Sequence, residues 1–179
     1  MQEYEFTLKF KLPNPVTDPD MYIEVLYESG CDDAIIGIGM KGFIGLDFIR
    51  EASSACEAMS SAIKDVRKAI PQAELIEASP DFVGITDVAK LIGCSRQNIQ
   101  KLLSKSNSNL PLTVYEGSQL VWHLFEILTW LIESKDYNID QSLLEIAKTT
   151  RNLNFIKESR KLDHEMQKQF QELLFSNNI

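Results

Sequence analysis

A run of cationic and amide side chains between residues 95 and 105 is the part of this sequence best suited to binding an anion. It contains three cations, Arg96, Lys101 and Lys105, and no Asp or Glu lies between Cys94 and Lys105. Arg can hold guanine through two hydrogen bonds, Asn and Gln can do the same with adenine, and Lys neutralises phosphate charge. The chain has a net charge of −8, and an ordinary solvated helix face would include acids. The run therefore favours contact with nucleic acid.

Two short helices joined by a tight turn would position these side chains. Thr86 is suited to cap the first helix, Gly93 to make the turn and Ser95 to cap the second helix. Apolar residues at helical spacing would face a core: Val88, Ala89, Leu91, Ile92, Ile99, Leu102 and Leu103. The outward face of the second helix then carries Arg96, Gln97, Gln100, Lys101 and Lys105, with Asn98 near its start. This arrangement is that of a helix-turn-helix.

The residues that follow predict a β-hairpin and then a third helix. Two short β-rich runs within residues 110–122 flank a turn at residues 116–119. Apolar residues return to helical spacing over residues 123–131. Trp122 and Trp130 are expected to anchor the core, since aromatic side chains bury large areas.

Three pieces of this segment carry a family resemblance. They are Gly84-Ile-Thr-Asp-Val-Ala-Lys-Leu-Ile-Gly-Cys-Ser-Arg-Gln, the Leu110-Pro start of the hairpin, and Val121-Trp before a helix that ends Thr129-Trp-Leu. Together they resemble the winged helix-turn-helix of the MerR and excisionase class, in which the hairpin is the wing. The resemblance spans residues 84–131.

The resemblance implies how the segment would meet duplex DNA. It places Thr86 and the residues from Ser95 to Lys101 at the major groove. It places four wing residues near the backbone or the minor groove: Thr113, Tyr115, Ser118 and Gln119. Basic wings are frequent in the class, but this wing has no Arg or Lys, and Glu116 would repel phosphate. A small contribution of the wing to affinity is therefore expected.

Residues 1–80 predict a separate α+β domain. The patterns give the order strand, helix, strand, strand, helix, strand, which is the split-βαβ or ferredoxin-like plan. The signals are an alternating run from Tyr4 to Leu12, a helix start at Asp18-Pro19, β-rich runs at 33–39 and 43–50, a capping box at Ser54 to Glu57, and a short strand at 73–78. This domain has 7 Lys and Arg against 14 Asp and Glu, a charge of −7, whereas residues 81–135 have 5 against 5. The acidic domain should therefore point away from DNA, where it could bind a protein partner.

Residues 136–179 predict an amphipathic helical tail. Apolar residues recur at intervals of mostly three and four: Ile139, Leu143, Ile146, Leu153, Ile156, Leu162, Met166, Phe170 and Leu173. The stripe could pack back on the winged segment or pair with a second copy. A homodimer through these C-terminal helices is the favoured reading, and Asn152 and Asn154 are candidates for a break in the helix.

Other chemistries find little support. Cys31, Cys56 and Cys94 have no metal-ligand spacing with each other or with the two His residues, so no metal site is expected. The pattern Gly37-x-Gly39-x-x-Gly42 is followed by a strand, whereas a dinucleotide loop needs a helix there, so we expect turn glycines and no cofactor. The acids Asp32, Asp33 and Asp47 are expected to be exposed at strand ends. No nucleophile or acid/base pair stands out, so no catalytic residues and no enzymatic activity are predicted.

With no signal segment or long apolar run, the expected location is the cytoplasm, without membrane contact.

The sequence thus predicts three segments: an α+β domain at 1–80, a winged helix-turn-helix at 81–135 and a helical tail at 136–179. The favoured function is sequence-specific binding of double-stranded DNA by a dimeric transcriptional regulator. One alternative is an antitoxin or defence-system component whose acidic N-terminal domain binds a protein partner. Another is a regulator that responds to a small molecule bound by that domain.

Overall fold

The protein is a mixed α+β structure with two antiparallel sheets. A computed structural model describes residues 1–37, 39–106 and 110–175, and these contain seven α-helices. The predicted α+β class is confirmed. The predicted segments also include residues 38, 107–109 and 176–179, which lie outside the described residues.

The first sheet has four strands in the order β2-β3-β1-β4. Their bounds are Gln2–Lys11 for β1, Ala34–Gly37 for β2, Phe43–Ala52 for β3 and Glu74–Ser79 for β4. All neighbouring strands are antiparallel. Side chains alternate between two faces because successive residues of a strand point in opposite directions. The buried face carries Phe6, Leu8, Phe10, Ile44, Leu46 and Phe48.

Two helices supply the rest of this first core. A short 3-10 helix, Pro19–Tyr22, is capped by Asp18 and leads into α1, Ile23–Glu28. Helix α2, Ala55–Ala69, buries Ala58, Met59 and Ala62. Half of the predicted capping box is present, since Ser54 Oγ accepts a hydrogen bond from the Glu57 N–H at 3.2 Å. The Glu57 carboxylate accepts from the Ser53 N–H at 3.0 Å and not from that of Ser54.

The second sheet has three strands in the order β5-β7-β6. Their bounds are Phe82–Val83 for β5, Thr113–Glu116 for β6 and Leu120–His123 for β7. Three helices pack with them: α3, Ile85–Leu91; α4, Arg96–Lys105; and α5, Leu124–Lys135. This second core contains Val83, Val88, Ile99, Trp122, Leu128 and Trp130. Strand β5 was not predicted, because a two-residue strand leaves no alternating pattern in the sequence.

Helix α6, Gln141–Ser159, belongs to both cores. Ile146 packs in the first core and the adjacent Ala147 in the second. The helix continues through Asn152 and Asn154, so the predicted break there is wrong. The chain turns at residues 160–163 instead and forms α7, His164–Phe175, which buries none of its residues.

Helix α6 also covers the outer edge of β4. The Asn154 amide accepts from the Ala78 N–H at 3.0 Å and donates to the Ala78 carbonyl at 2.8 Å, as a neighbouring strand would. The ammonium group of Lys157 donates to the Ile76 carbonyl. Strand β4 is therefore not an open edge at these residues, whereas β2 pairs with a strand on one side only.

None of the described helices combines the length and the apolar character that crossing a membrane requires.

Candidate nucleic-acid interface

Helices α3 and α4 meet at a turn whose backbone conformation explains its sequence. Gly93 has a φ of +69°, a left-handed conformation that side chains other than glycine disfavour. Ser95 caps α4 as predicted, since its Oγ accepts from the Asn98 N–H at 3.2 Å. Thr86 does not cap α3, which was its predicted role. Gly84 holds the N-cap position, and its N–H donates to the Asp87 carboxylate at 2.9 Å.

One face of α4 is fixed against the second core. Ile99 is fully buried, and Leu102 and Leu103 pack against the same cluster. Five of the predicted site residues are exposed on this helix: Arg96, Gln97, Gln100, Lys101 and Lys105. No acidic residue lies in the first turn. The helix therefore presents cations and amides to solvent on a rigid base.

Asn98, unlike the other predicted site residues of α4, is not fully exposed. Successive helical residues are rotated by about 100°, which puts Asn98 roughly 200° from Arg96, at the border of the buried face. Its amide is half-buried and donates to the Tyr137 hydroxyl at 2.7 Å. Asn98 thus ties α4 to the segment that follows α5. Ser104 occupies the middle of the outward arc, and the spacing alone would have found it.

The hairpin formed by β6 and β7 presents a different surface. Thr113 is half-buried and its hydroxyl donates to Glu116 at 2.6 Å, within the hairpin itself. Tyr115, Ser118 and Gln119 are exposed. Glu116 is exposed as well, and four further exposed side chains of this region are apolar: Leu110, Leu112, Val114 and Leu120. The hairpin therefore offers phosphate no cation, as its sequence predicted.

A further exposed cation lies on α3, the helix that precedes α4. Lys90, in the last turn of α3, is exposed and was not among the predicted site residues. In helix-turn-helix proteins the first helix crosses the DNA backbone, where such a cation would contact phosphate. The signal that could have found it is its position three residues before the turn glycine.

Comparison of the chain with protein-family models, with curated proteins and with solved structures found no match. The function is therefore argued from the residues of this chain alone.

Asp33 and Asp65 hold the buried side chain of Arg50. Asp33 accepts two hydrogen bonds from the Arg50 guanidinium, at 2.7 and 2.9 Å, and Asp65 accepts a third at 2.8 Å. Burial by itself lowers the pKa of Arg50, but these hydrogen bonds outweigh it and the pKa is raised. Asp33 is thus half-buried in an ion pair and not an exposed acid as predicted. Within the described residues, no group of three or more His, Cys, Asp and Glu is placed to hold a metal ion.

A second polar cluster, which no sequence pattern indicates, joins the two cores. Asp81 is only 2% exposed. One carboxylate oxygen is 2.7 Å from His123 Nδ1, and the other accepts from the Asn154 amide at 2.8 Å. These residues are 42 and 73 positions apart from Asp81. Only the packing of β5, β7 and α6 brings them together.

Proposed function

We propose that this protein binds duplex DNA sequence-specifically, with α4 in the major groove. The observation that carries the proposal is the outward face of α4, where Arg96, Gln97 and Gln100 are exposed at the N-terminal half of the helix. In a helix-turn-helix, the N-terminal residues of the second helix contact base edges. Arg and Gln are the side chains that pair with guanine and adenine through two hydrogen bonds.

The charges along α4 also support its placement in the major groove. Lys101 and Lys105 lie farther along α4 and are exposed, where they would contact phosphates. The N-terminus of α4 also carries a partial positive charge from the aligned peptide dipoles, and no acid opposes it there. A chain with a net charge of −8 would bind DNA through such a local surface and not through its overall charge.

The arrangement around α4 fits a winged helix-turn-helix. Helices α3 and α4, the β6–β7 hairpin and α5 follow one another in the order of that fold. In the first 80 residues, the strand order β2-β3-β1-β4 is the order that the ferredoxin-like plan requires. The winged helix-turn-helix around α4 and the ferredoxin-like plan of the first 80 residues are both part of the proposal.

The protein would act as a dimer through α7, as a transcriptional regulator does on paired half-sites. This helix exposes Met166, Phe170 and Leu173 by 56 to 77%, and Leu162 in the turn before it is 52% exposed. Isolated helices shorter than about 12–15 residues are marginal in water, so a 12-residue helix with an uncovered apolar stripe needs a partner. In the rest of the predicted dimerisation stripe, the residues from Ile139 to Leu153 pack within the chain and are not available for a second copy, whereas Ile156 is 59% exposed.

Selection from a random duplex library tests the proposal. The full chain is mixed with the library at about 0.15 M salt, and the retained duplexes are sequenced over several rounds. We expect an enriched motif, present as two half-sites roughly 34 Å apart or a multiple of that distance. Retention without an enriched motif would contradict sequence-specific recognition, and no retention would contradict DNA binding.

A second candidate function is binding of a basic protein partner by the first sheet. The face of this sheet away from α2 exposes Ile35 by 70% and Ile49 by 52%. Strand pairing places Glu5 opposite Ile49 and Asp47 opposite Ile35. Apolar residues ringed by acids suit a partner with a basic, partly apolar surface. For this candidate we expect the Ile35→Asp variant to bind the protein partner more weakly than the unaltered chain does. Its affinity for DNA should stay the same.

A further inference from the structure

A cavity of about 490 Å³ lies between the second sheet and α6, open to solvent. It is lined by residues of β5, β6 and β7, by Ile76 of β4 and by the second half of α6. The walls therefore come from both cores. Cavities that hold small molecules usually measure about 300–1,000 Å³ and are mostly apolar with a few polar groups.

Three rings form one wall of this cavity. The His123 ring lies between Phe82 and Phe155, with centroid distances of 4.8 and 5.4 Å. Phe82 is 58% exposed and Phe155 is 56% exposed, whereas Phe6, Phe10 and Phe48 in the first core are nearly inaccessible. Aromatic rings gain energy when another ring stacks on them or meets their edge. The uncovered faces of Phe82 and Phe155 are thus suited to a planar guest.

The His123 ring has one nitrogen atom, Nε2, that can form a hydrogen bond with a guest. Asp81 engages His123 at Nδ1, and an ionised carboxylate can only accept, so Nδ1 carries the proton. In the neutral ring Nε2 is then an acceptor. No described group bonds Nε2. It is not sealed from solvent either, since Trp130 Nε1 is the one fully buried side-chain polar atom without a partner in the described residues.

The charges at the cavity favour a neutral guest. Lys157 donates to the Ile76 carbonyl and lies 3.0 Å from Glu158, so its charge is already matched. Asp81, Glu77 and Glu158 also line the cavity. Glu77 pairs with Lys9 at 2.8 Å, and Asp81 is hydrogen-bonded to His123 and Asn154. The charges of the lining residues are therefore already matched, and none is left to attract an ionic ligand.

We propose that this cavity binds a small, neutral heteroaromatic molecule that donates an N–H to His123 Nε2 and stacks against Phe82 and Phe155. The inference concerns a second site and does not depend on DNA binding. The proposed α4 surface and this cavity share no residue.

Titration of the full chain with indole and with adenine, followed by NMR of isotope-labelled His and Phe, tests the site. Both probes are neutral heteroaromatic rings with an N–H. We expect saturable shifts of the His123, Phe82 and Phe155 resonances, with His164 unaffected. The probe 1-methylindole keeps the ring but lacks the donor, so it should bind the unaltered protein about five- to tenfold more weakly than indole.

Two variants locate the site and one controls for surface effects. Phe155→Ala should weaken indole at least about fivefold, because one stacking wall is lost. Phe43→Ala is the control, since Phe43 is 37% exposed on β3 and does not line this cavity. His123→Asn keeps an amide donor for Asp81 and removes Nε2, so it should abolish the preference for indole over 1-methylindole.

The proposal is overturned if neither probe gives saturable shifts at His123, or if indole and 1-methylindole bind the unaltered protein equally. It is also overturned if the Phe155 resonances shift with protein concentration alone, because a second copy would then cover the wall. The comparison of the two indoles uses the unaltered chain, so it stands even where a variant fails to fold.

Discussion

Asn154 of α6 makes three buried hydrogen bonds where the two cores meet. It satisfies both backbone groups of Ala78 and one oxygen of the buried Asp81. A buried polar group that loses its partner costs roughly 1–3 kcal/mol, and three groups would be left here. Asn154 therefore holds the β4 edge and the polar cluster in place together.

Replacing this amide should destabilise the protein far more than replacing its neighbour. We expect Asn154→Ala to lower the free energy of unfolding by about 2–4 kcal/mol, measured by urea denaturation. Asn152→Ala is the matched control, since Asn152 is exposed on the same helix and bonds only the Lys148 carbonyl of its own helix. A change within about 0.5 kcal/mol is expected there. An equal loss in the free energy of unfolding for the two substitutions would contradict the structural role of Asn154.

At the scale of elements, α4 is placed by its cap as much as by its core contacts. The Ser95 hydroxyl satisfies an N–H that would otherwise lack a helical partner. Ser95→Ala should lower the free energy of unfolding by about 1 kcal/mol. Ser104→Ala is the control, since this exposed hydroxyl only donates to the Lys101 carbonyl within α4. Thermal denaturation of the two variants measures the difference, and an unchanged Ser95→Ala protein would mean that the cap does not stabilise α4.

The elements differ in how far the sequence predicts them. Helix α4 and its turn were predictable, because Gly93, Ser95 and Ile99 act through local backbone and helical spacing. Strand β5 and the Asp81–His123 pair were not, because their partners lie far along the chain and leave no periodic signal. The hydrogen bond between Asn98 and Tyr137 was not predictable either, because the two residues are 39 positions apart. In the tail, the helical spacing predicted the apolar stripe. Spacing alone does not show which residues of the stripe pack within the chain.

For the whole molecule, α6 determines how the chain can be divided. It contributes Ile146 to one core and Ala147 to the other, so cutting the chain before α6 would open both. Helix α7 has no such role in the described structure, since it buries none of its residues. Assembly is therefore best tested by substitution in α7.

Charged residues in the apolar stripe of α7 should convert a dimer into a monomer. Light scattering should give twice the chain mass for the unaltered protein and the chain mass for a Met166→Glu, Phe170→Glu variant. Lys168→Glu changes the charge by the same two units on the opposite side of the helix, about 200° from Met166, and should leave the dimer intact. A monomeric unaltered chain would contradict assembly through α7.

The most direct test of the account compares two triple variants on the DNA selected by the unaltered protein. The first removes Arg96, Lys101 and Lys105 of α4, and the second removes Arg67, Lys64 and Lys68, which are equally exposed on α2. Each replaces one Arg and two Lys with Ala, so the net charge changes equally. Titrated by fluorescence anisotropy, the α4 variant should lose at least about tenfold in affinity, with a salt slope lower by about two units. The α2 variant should bind nearly as the unaltered protein does. Equal affinities of the two folded variants would contradict DNA binding through α4.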